Sequence, residues 1–207
     1  FLDKTFPDIL ATVLKDGGLG ADDFELRLSG SYPSLEYVCQ YADTHFNFLS
    51  AWCEHLGISY HFDHQGGREK AVFTDHAQAH DAVSKGPVRF HAASGLEEGE
   101  GGAVVRSFVC RQRRVPAKVR LKDYNYLTPD ADVSGEATVS GQGQGEIYAY
   151  GDHFASASEG AGLAKVRAEE LAWAGRVFLG KGDVPDLRPG WFFKLEGHFS
   201  QALNAEY

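Results

Sequence analysis

Nine histidines and three cysteines give this chain its widest chemical scope. His61 and His64 stand three residues apart, His76 and His80 four apart. On a helix the second pair would share a face, as metal ligands must. The first pair lies on an alternating stretch, where a three-residue step turns side chains to opposite faces. Neither pair comes with an HExxH or CxxC pattern, so the histidines read as scattered surface residues and no metal site is assigned. Cys39, Cys53 and Cys110 are odd in number and widely spaced, which yields no disulfide framework. Cys53 falls on an apolar helical stripe, so buried free thiols in a reducing, cytoplasmic setting are expected. For acyl transfer there is no GxSxG elbow, and His55 beside Cys53 is only a neighbour in sequence. The run Gly141-Gln142-Gly143-Gln144-Gly145 departs from GxGxxG because Glu146 stands where the last glycine belongs. The many carboxylates form no pattern that marks a glycosidase pair. No catalytic or cofactor-binding residue is assigned, and the chain reads as a non-enzyme.

A net charge of -9 excludes a broad basic face for nucleic acid. The one basic cluster (Arg111, Arg113, Arg114, Lys118, Arg120, Lys122) alternates with apolar residues and reads as the solvated face of two strands. No apolar run is long enough for a membrane-spanning segment, and no signal peptide is visible. The chain opens on Phe1, contains no Met and closes on Tyr207 within a strand-like run. It is expected to be a piece of something longer.

The elements follow from periodicity. High glycine and aromatic content (24 Gly, 14 Phe, 9 Tyr) leans toward strands joined by many turns. Phe6, Ile9, Leu10, Val13 and Leu14 recur at helical spacing, with Thr5 to cap and Pro7 in the first turn. A strand is expected at Phe24 to Leu28 and another at Tyr37 to Tyr41. A second helix starts at Asp43 or Thr44, carries Phe46, Leu49, Trp52, Cys53 and Leu56 on one side, and ends at Gly57. Ile58, Tyr60 and Phe62 alternate with Ser59, His61 and Asp63, and after the Gln65-Gly66-Gly67 turn Lys70 to Phe73 runs back as a hairpin. A glycine-acid loop is read at Gly95 to Gly102. Val104 to Arg111 and Ala117 to Tyr124 are expected to form a hairpin around Val115-Pro116, with a further strand at Ser134 to Val139. Gly141 to Gly145 reads as a flexible joint, followed by an extended piece holding Ile147, Tyr148 and Tyr150. A third helix runs from Ser158 to about Gly175. Strands at Val177 to Lys181 and Phe192 to Glu196 follow, with Leu187-Arg188-Pro189-Gly190 between them.

With no reaction to assign, surfaces are the candidates. Phe48 points away from the stripe of the second helix, and Tyr148 and Tyr150 lie just past the joint. Large aromatics in such places mark either a satellite core or a subunit interface. Arg167 and Glu170 fall inside the apolar face of the third helix, three apart, either as a rim pair or as a desolvated pair specifying contact with a neighbouring element.

The stretch YPSLEYVCQYADTHFNFLSAWCEHLGISYHF, Tyr32 to Phe62, closely resembles a segment of the VgrG family. Further pieces agree in order: Glu69 to Asp75, Val115 to Tyr124, Gly145 to Tyr148 through Glu169-Glu170-Leu171, Leu187 to Gly190, Leu195 to His198, and Leu203 to Tyr207. The similarity spans nearly the whole chain. Departures are Ser34 and Leu35 before Glu36, Ala51 where arginine is common, and His61 among expected aromatics. The resemblance implies an α+β, strand-rich baseplate-hub fold: mixed sheets, three main helices and part of a β-barrel. It divides the chain into an α+β domain (1–140), a joint and helical segment (141–175) and the start of a second barrel (176–207). It implies the spike hub of a type VI secretion apparatus, or the related hub of a contractile phage or prophage tail. As partners it implies further copies in a homotrimer, an Hcp-type tube protein, and effector or adaptor proteins. Assembly would be cytoplasmic, followed by secretion through the apparatus. With barrel partners missing, the isolated chain is expected to be monomeric or weakly associated.

Overall fold

The computed structural model describes residues 1–83, 85–92 and 102–207. Most of the glycine-acid loop therefore lies outside the described residues. In chain order the elements are β1 (Leu2–Thr5), α1 (Phe6–Asp16), β2 (Phe24–Arg27), β3 (Ser34–Tyr37), α2 (His45–Leu56), β4 (Ser59–Asp63), β5 (Lys70–Thr74), β6 (Asp81–Ala82), β7 (Val88–Phe90), β8 (Val104–Gln112), β9 (Lys118–Asp123), β10 (Val133–Thr138), β11 (Glu146–Tyr150), α3 (Ala157–Trp173), β12 (Arg176–Gly182), β13 (Trp191–Phe192) and β14 (Leu195–Glu196). Among the described residues the architecture is α+β and strand-rich, with three α-helices and several mixed sheets.

By compactness the chain forms two units, one of Phe1–Arg89 with Val184–Tyr207 and one of Phe90–Asp183. These boundaries differ from those drawn on the sequence at 140 and 175, and hydrogen bonding explains why. The Gly141 to Gly145 stretch is a tied turn: the Ala117 N–H donates to the Gly145 carbonyl (2.9 Å), the Gln144 N–H to Val115 (3.1 Å) and the Gly143 N–H to Ser140 (3.0 Å). No boundary falls there. The 176–207 stretch is itself divided, because β12 pairs with β8 whereas β13 and β14 pair with β6 and β7.

In the first unit α1 forms where its stripe predicts. The Thr5 hydroxyl caps it by accepting the Asp8 N–H, and Phe6, Ile9, Leu10, Val13 and Leu14 are all buried. α2 is capped by Thr44, which accepts the Asn47 N–H, and closes at Gly57, whose N–H returns to the Cys53 and Glu54 carbonyls. The two helices meet through stacked Phe6 and Trp52, with ring centroids 5.8 Å apart. β4 and β5 form the expected hairpin, and β2 lies parallel to β5 on its other side. The third strand ends at Tyr37 rather than beginning there, because β3 (Ser34–Tyr37) pairs with β1.

In the second unit the Val115-Pro116 hairpin does not form. β8 pairs with β12 from Gln112 opposite Arg176 to Val105 opposite Gly182. β9 is instead the centre of a three-stranded sheet in the order β10-β9-β11, antiparallel to β10 and parallel to β11. α3, capped by the Ser156 hydroxyl on the Glu159 N–H, covers one face of that sheet. The core there is Val119, Leu121, Val133, Phe154, Leu163, Ala164 and Ala168. Gly135 of β10 faces Gly160 of α3 so closely that a Cβ on Gly135 would overlap the Gly160 carbonyl group. Helix and sheet thus meet backbone to backbone.

Candidate assembly surface

Register settles which side chains share each face of the β10-β9-β11 sheet. Ile147 and Ala149 lie opposite Val119 and Leu121, on the side that α3 covers. Alternation then sends Glu146, Tyr148 and Tyr150 to the other side, opposite Lys118, Arg120 and Lys122. Thr138, Glu136 and Ser134 complete this outer face from β10. Tyr148 is 56% and Tyr150 63% exposed. β11 is an edge strand, so this aromatic row borders a line of backbone groups open to pairing. The Lys118 ammonium bridges Glu146 at 2.8 Å and Glu136 at 3.6 Å, and Lys122 reaches Asp132 at 3.6 Å. The bond from Lys118 holds the Glu146 carboxyl below its usual range. Lys118 and Lys122 of β9 are therefore matched by carboxylates, and two tyrosines stand at the rim of this face.

Arg167 and Glu170 occur as a pair, with Nη1 3.4 Å from Glu170 Oε2. Arg167 also reaches Asp152 Oδ2 from Nε at 3.4 Å, a partner fifteen residues away on the segment between β11 and α3. Asp152 is the more sheltered of the two carboxylates. The guanidinium thus clips that segment to the helix. Asp123 acts alongside, accepting the His153 N–H at 2.6 Å and the Phe154 N–H at 3.2 Å.

Phe48 does not belong to an exposed surface. It is 5% exposed, lies within the first unit's core and stacks on Phe1 at 6.3 Å. Phe46 is the exposed residue of the two, at 65%. At 100° per residue both flank the stripe of Leu49, Trp52, Cys53 and Leu56, one on each side. What decides between them is cover: the N-terminal strand lies over Phe48, whereas Phe46 meets only an edge-on Tyr60 ring at 6.4 Å among the described aromatic contacts.

Over all 207 residues, 1–207, the chain matches the model of the family described as Phage tail baseplate hub (GPD). The chain belongs to the phage tail baseplate hub family. Among curated relatives of this hub chain, the type VI secretion system spike protein VgrG1b of Pseudomonas aeruginosa is 30% identical, a match covering 100% of this chain and 28% of the relative. VgrG4b of the same organism is 27% identical over 96% of this chain and 25% of its own length. A protein named Actin cross-linking toxin VgrG1, from Vibrio cholerae, is 25% identical, and the hub chain covers 19% of it. The hub chain thus spans about a quarter of the length of these two spike-protein relatives. Among solved structures, the E. coli c3393 protein, a type VI secretion component with structural similarity to the T4 tail proteins gp27 and gp5, shares the fold at TM-score 0.60 and 18% identity, over 99% of this chain and 42% of that one. A 43 kDa tail protein of prophage MuSo2 from Shewanella oneidensis does so at TM-score 0.61 and 13% identity, over 100% of this chain and 60% of that one.

The hub chain does gather residues that resemble a catalytic set, in Ser29, Asp75 and His76. Their geometry is that of a clamp. Ser29 Oγ and Asp75 Oδ1 both approach the same ring nitrogen, His76 Nδ1, at 3.2 and 2.8 Å, so the imidazole cannot relay a proton between them. The Asp75 carboxylate also accepts the Ser29 N–H (2.9 Å), the Gly30 N–H (2.6 Å) and the Tyr32 hydroxyl (2.9 Å). Burial pushes its pKa up, but the Ser29 N–H, His76 and the other donors outweigh that and hold it far below the usual carboxylate range. Asp75 therefore pins the loop after β2 to the end of β5, a role its position in sequence does not announce. Tyr32 is raised well above an ordinary phenol, by burial first and by Asp75 second. Among the described residues no group of three or more His, Cys, Asp or Glu is placed to hold a metal ion, and no helix is long and apolar enough to cross a membrane.

Two readings from the sequence need correcting. The histidines are not all at the surface, since His61 and His198 are buried. The cysteines are free but differ in burial: Cys53 is buried, with burial pushing its thiol up to about 12, whereas Cys39 is exposed and Cys110 intermediate. Two further members of the basic cluster are held locally, with Arg113 donating to the Ala174 carbonyl at 2.7 Å and Arg114 to Gln144 at 3.0 Å.

Proposed function

We propose that this chain is the hub segment of a spike at the tip of a type VI secretion apparatus, acting as a trimer seated on an Hcp-type tube to deliver effectors. The reading rests on the match to the hub family from the first residue to the last, together with curated relatives that are VgrG spike proteins. The work is mechanical: the chain makes and breaks no bond, and its surfaces are the active parts. Closed symmetry needs a patch that meets its counterpart on the next copy. Tyr148 and Tyr150, on the rim of an open sheet beside a free strand edge, are the residues assigned to that patch. Arg167, paired with Glu170 along α3, stands behind them and holds the segment that leaves β11 through Asp152. Strands outside this chain would extend the β8–β12 pair toward a barrel, which explains why the isolated chain is expected to be monomeric or weakly associated. Assembly takes place in the cytoplasm, and the spike then leaves through the apparatus itself.

The test is sedimentation of the full-length protein that contains this chain. The wild type is expected as a trimer, and Tyr148→Ala with Tyr150→Ala as mostly monomer with an unchanged circular dichroism spectrum. A double variant that sediments as the wild type does would remove the tyrosines from the interface. A second reading, the hub of a prophage tail, draws on the likeness to the MuSo2 tail protein. Binding of the purified spike to an Hcp-type ring, measured by co-sedimentation, separates the two; no binding favours the tail.

A further inference from the structure

The first unit is completed by a segment that the chain adds last, Val184–Tyr207. That segment is held through two very short strands. Trp191 and Phe192 of β13 pair with Asp81 and Ala82 of β6, and Leu195 and Glu196 of β14 pair with Val88 and Arg89 of β7. The Val83 N–H donates to the Phe192 carbonyl and the Val88 N–H to the Lys194 carbonyl, each at 2.8 Å. An ion pair, Lys85 with Asp186 at 3.0 Å, lies at its start.

Beneath this attachment sit two imidazoles. His61 is 5% exposed, and its ring centroid lies 5.7 Å from that of His80. Gly190, at φ +77°, rests directly on the His61 ring, where a Cβ would overlap it. His80 meets Phe192 edge-on at 6.0 Å. Both rings therefore touch the returning segment, one at the turn and one at β13. His80 Nδ1 is buried without a hydrogen-bond partner, as is Trp191 Nε1. A ring nitrogen without a partner is tolerable on a neutral imidazole and costly on a charged one. The surrounding charges make protonation harder still. From β2 the Arg27 guanidinium lies close by, bonded to the Ala79 carbonyl at 2.9 Å and to Asp81 at 3.0 Å. From β4 Asp63 and from β6 Asp81 act the other way, but Asp81 is already engaged by Arg27. From the returning segment Arg188 is set over the Trp191 ring at 5.4 Å. Burial first, then His80 and Arg27, lower the His61 pKa below that of an ordinary imidazole.

We infer that His61, seated between the His80 ring and the Gly190 turn, is an acid-sensitive latch, closed while its ring is neutral, that frees Val184–Tyr207 from the rest of the first unit when it takes up a proton. A freed segment lets the imidazolium reach water, and the turn at Gly190 lifts off the ring. The latch contributes fully above the ordinary imidazole pKa of about 6.5 and weakens as pH falls below it, because the open state then binds a proton that the closed state refuses. This device does not depend on the assembly reading.

Amide hydrogen exchange on the 207-residue chain tests it, reading Val83 and Val88 against β9 amides as an internal reference. After correction for intrinsic rates, protection at Val83 and Val88 is expected to fall between pH 7.5 and pH 5.5, while β9 holds. In His61→Leu the fall is expected to shrink or vanish. Equal protection at the two pH values, or the same fall in wild type and variant, would overturn the latch. Should His61→Leu not fold, direct NMR titration of the wild-type His61 ring decides: a pKa below about 6.5 supports the latch, and one at or above that value sinks it.

Discussion

α1 meets its neighbours through large side chains, and α3 largely through small ones. The face of α1 is Phe6, Ile9, Leu10, Val13 and Leu14, packed with Phe48, Leu49 and Cys53 of α2. The face of α3 is Gly160, Leu163, Ala164 and Ala168, and at Gly160 the helix backbone lies against Gly135 of β10. The first core is filled by volume, the second by close approach. In a core of the first kind, trimming a side chain leaves a hole whose cost grows with its size. At the Gly135–Gly160 contact nothing can be trimmed, and the sensitivity there runs toward addition, because a main chain in contact with another has no rotamer with which to yield.

The largest test of this contrast adds atoms where there is no room. Gly135→Val is expected to abolish the cooperative unfolding transition of the Phe90–Asp183 unit, seen as loss of protection in β9 and β10 by hydrogen exchange. A folded variant with native protection there would break the comparison. Next comes removal of atoms from the other core. Leu10→Ala is expected to destabilise the first unit by about 2–5 kcal/mol, read from the urea midpoint at constant slope, with β9 protection unchanged. The smallest effect belongs to the polar clamp. Asp75→Asn keeps the shape but removes a charge that accepts from Ser29, Gly30, Tyr32 and His76, and it is expected to cost about 1.5–3 kcal/mol at neutral pH. The Asp75 pKa is depressed in the folded state, so its contribution is complete above the ordinary aspartate value of about 3.9 and drains as pH falls below it. Thermal melts from pH 5 to pH 2 should therefore show a steeper acid decline in the wild type than in Asp75→Asn.

How much of this the sequence carries follows from the same contrast. α1 is legible because large apolar residues repeat at one angle and Thr5 precedes them; α2 is legible from Thr44, Gly57 and its stripe. The ends of α3 are readable, but Gly160 looks like a weak helix residue until its partner Gly135 is in place, and that partner lies in another element. The same distance hides strand pairing. Val115-Pro116 has the composition of a turn, yet β8 finds β12 and β9 finds β10 and β11, because pairing is chosen by burial of both faces and not by nearness. Tyr148 and Tyr150 were readable as outward residues from their alternation with Ile147 and Ala149. Phe48 was not, because Phe46 and Phe48 flank the stripe equally and only β1 distinguishes them. His61 was misjudged for a related reason: Ile58, Tyr60 and Phe62 alternate as an inward set, but the returning Gly190 turn covers the opposite side, leaving His61 buried and Phe62 exposed.

The first unit's interrupted course along the chain has a consequence for synthesis. β6 and β7 leave the ribosome before the residues that pair with them exist, since β13 and β14 follow the whole Phe90–Asp183 stretch. At translation speeds of about 5–20 residues per second, that delay is roughly 5–20 s. During it the nascent N-terminal portion carries an uncovered His61 and two unmatched strand edges, and by its end every residue of the inserted unit has been made. Maturation is therefore nested, the inner unit closing before the outer one, and a chaperone that shelters β6 and β7 would act in that interval.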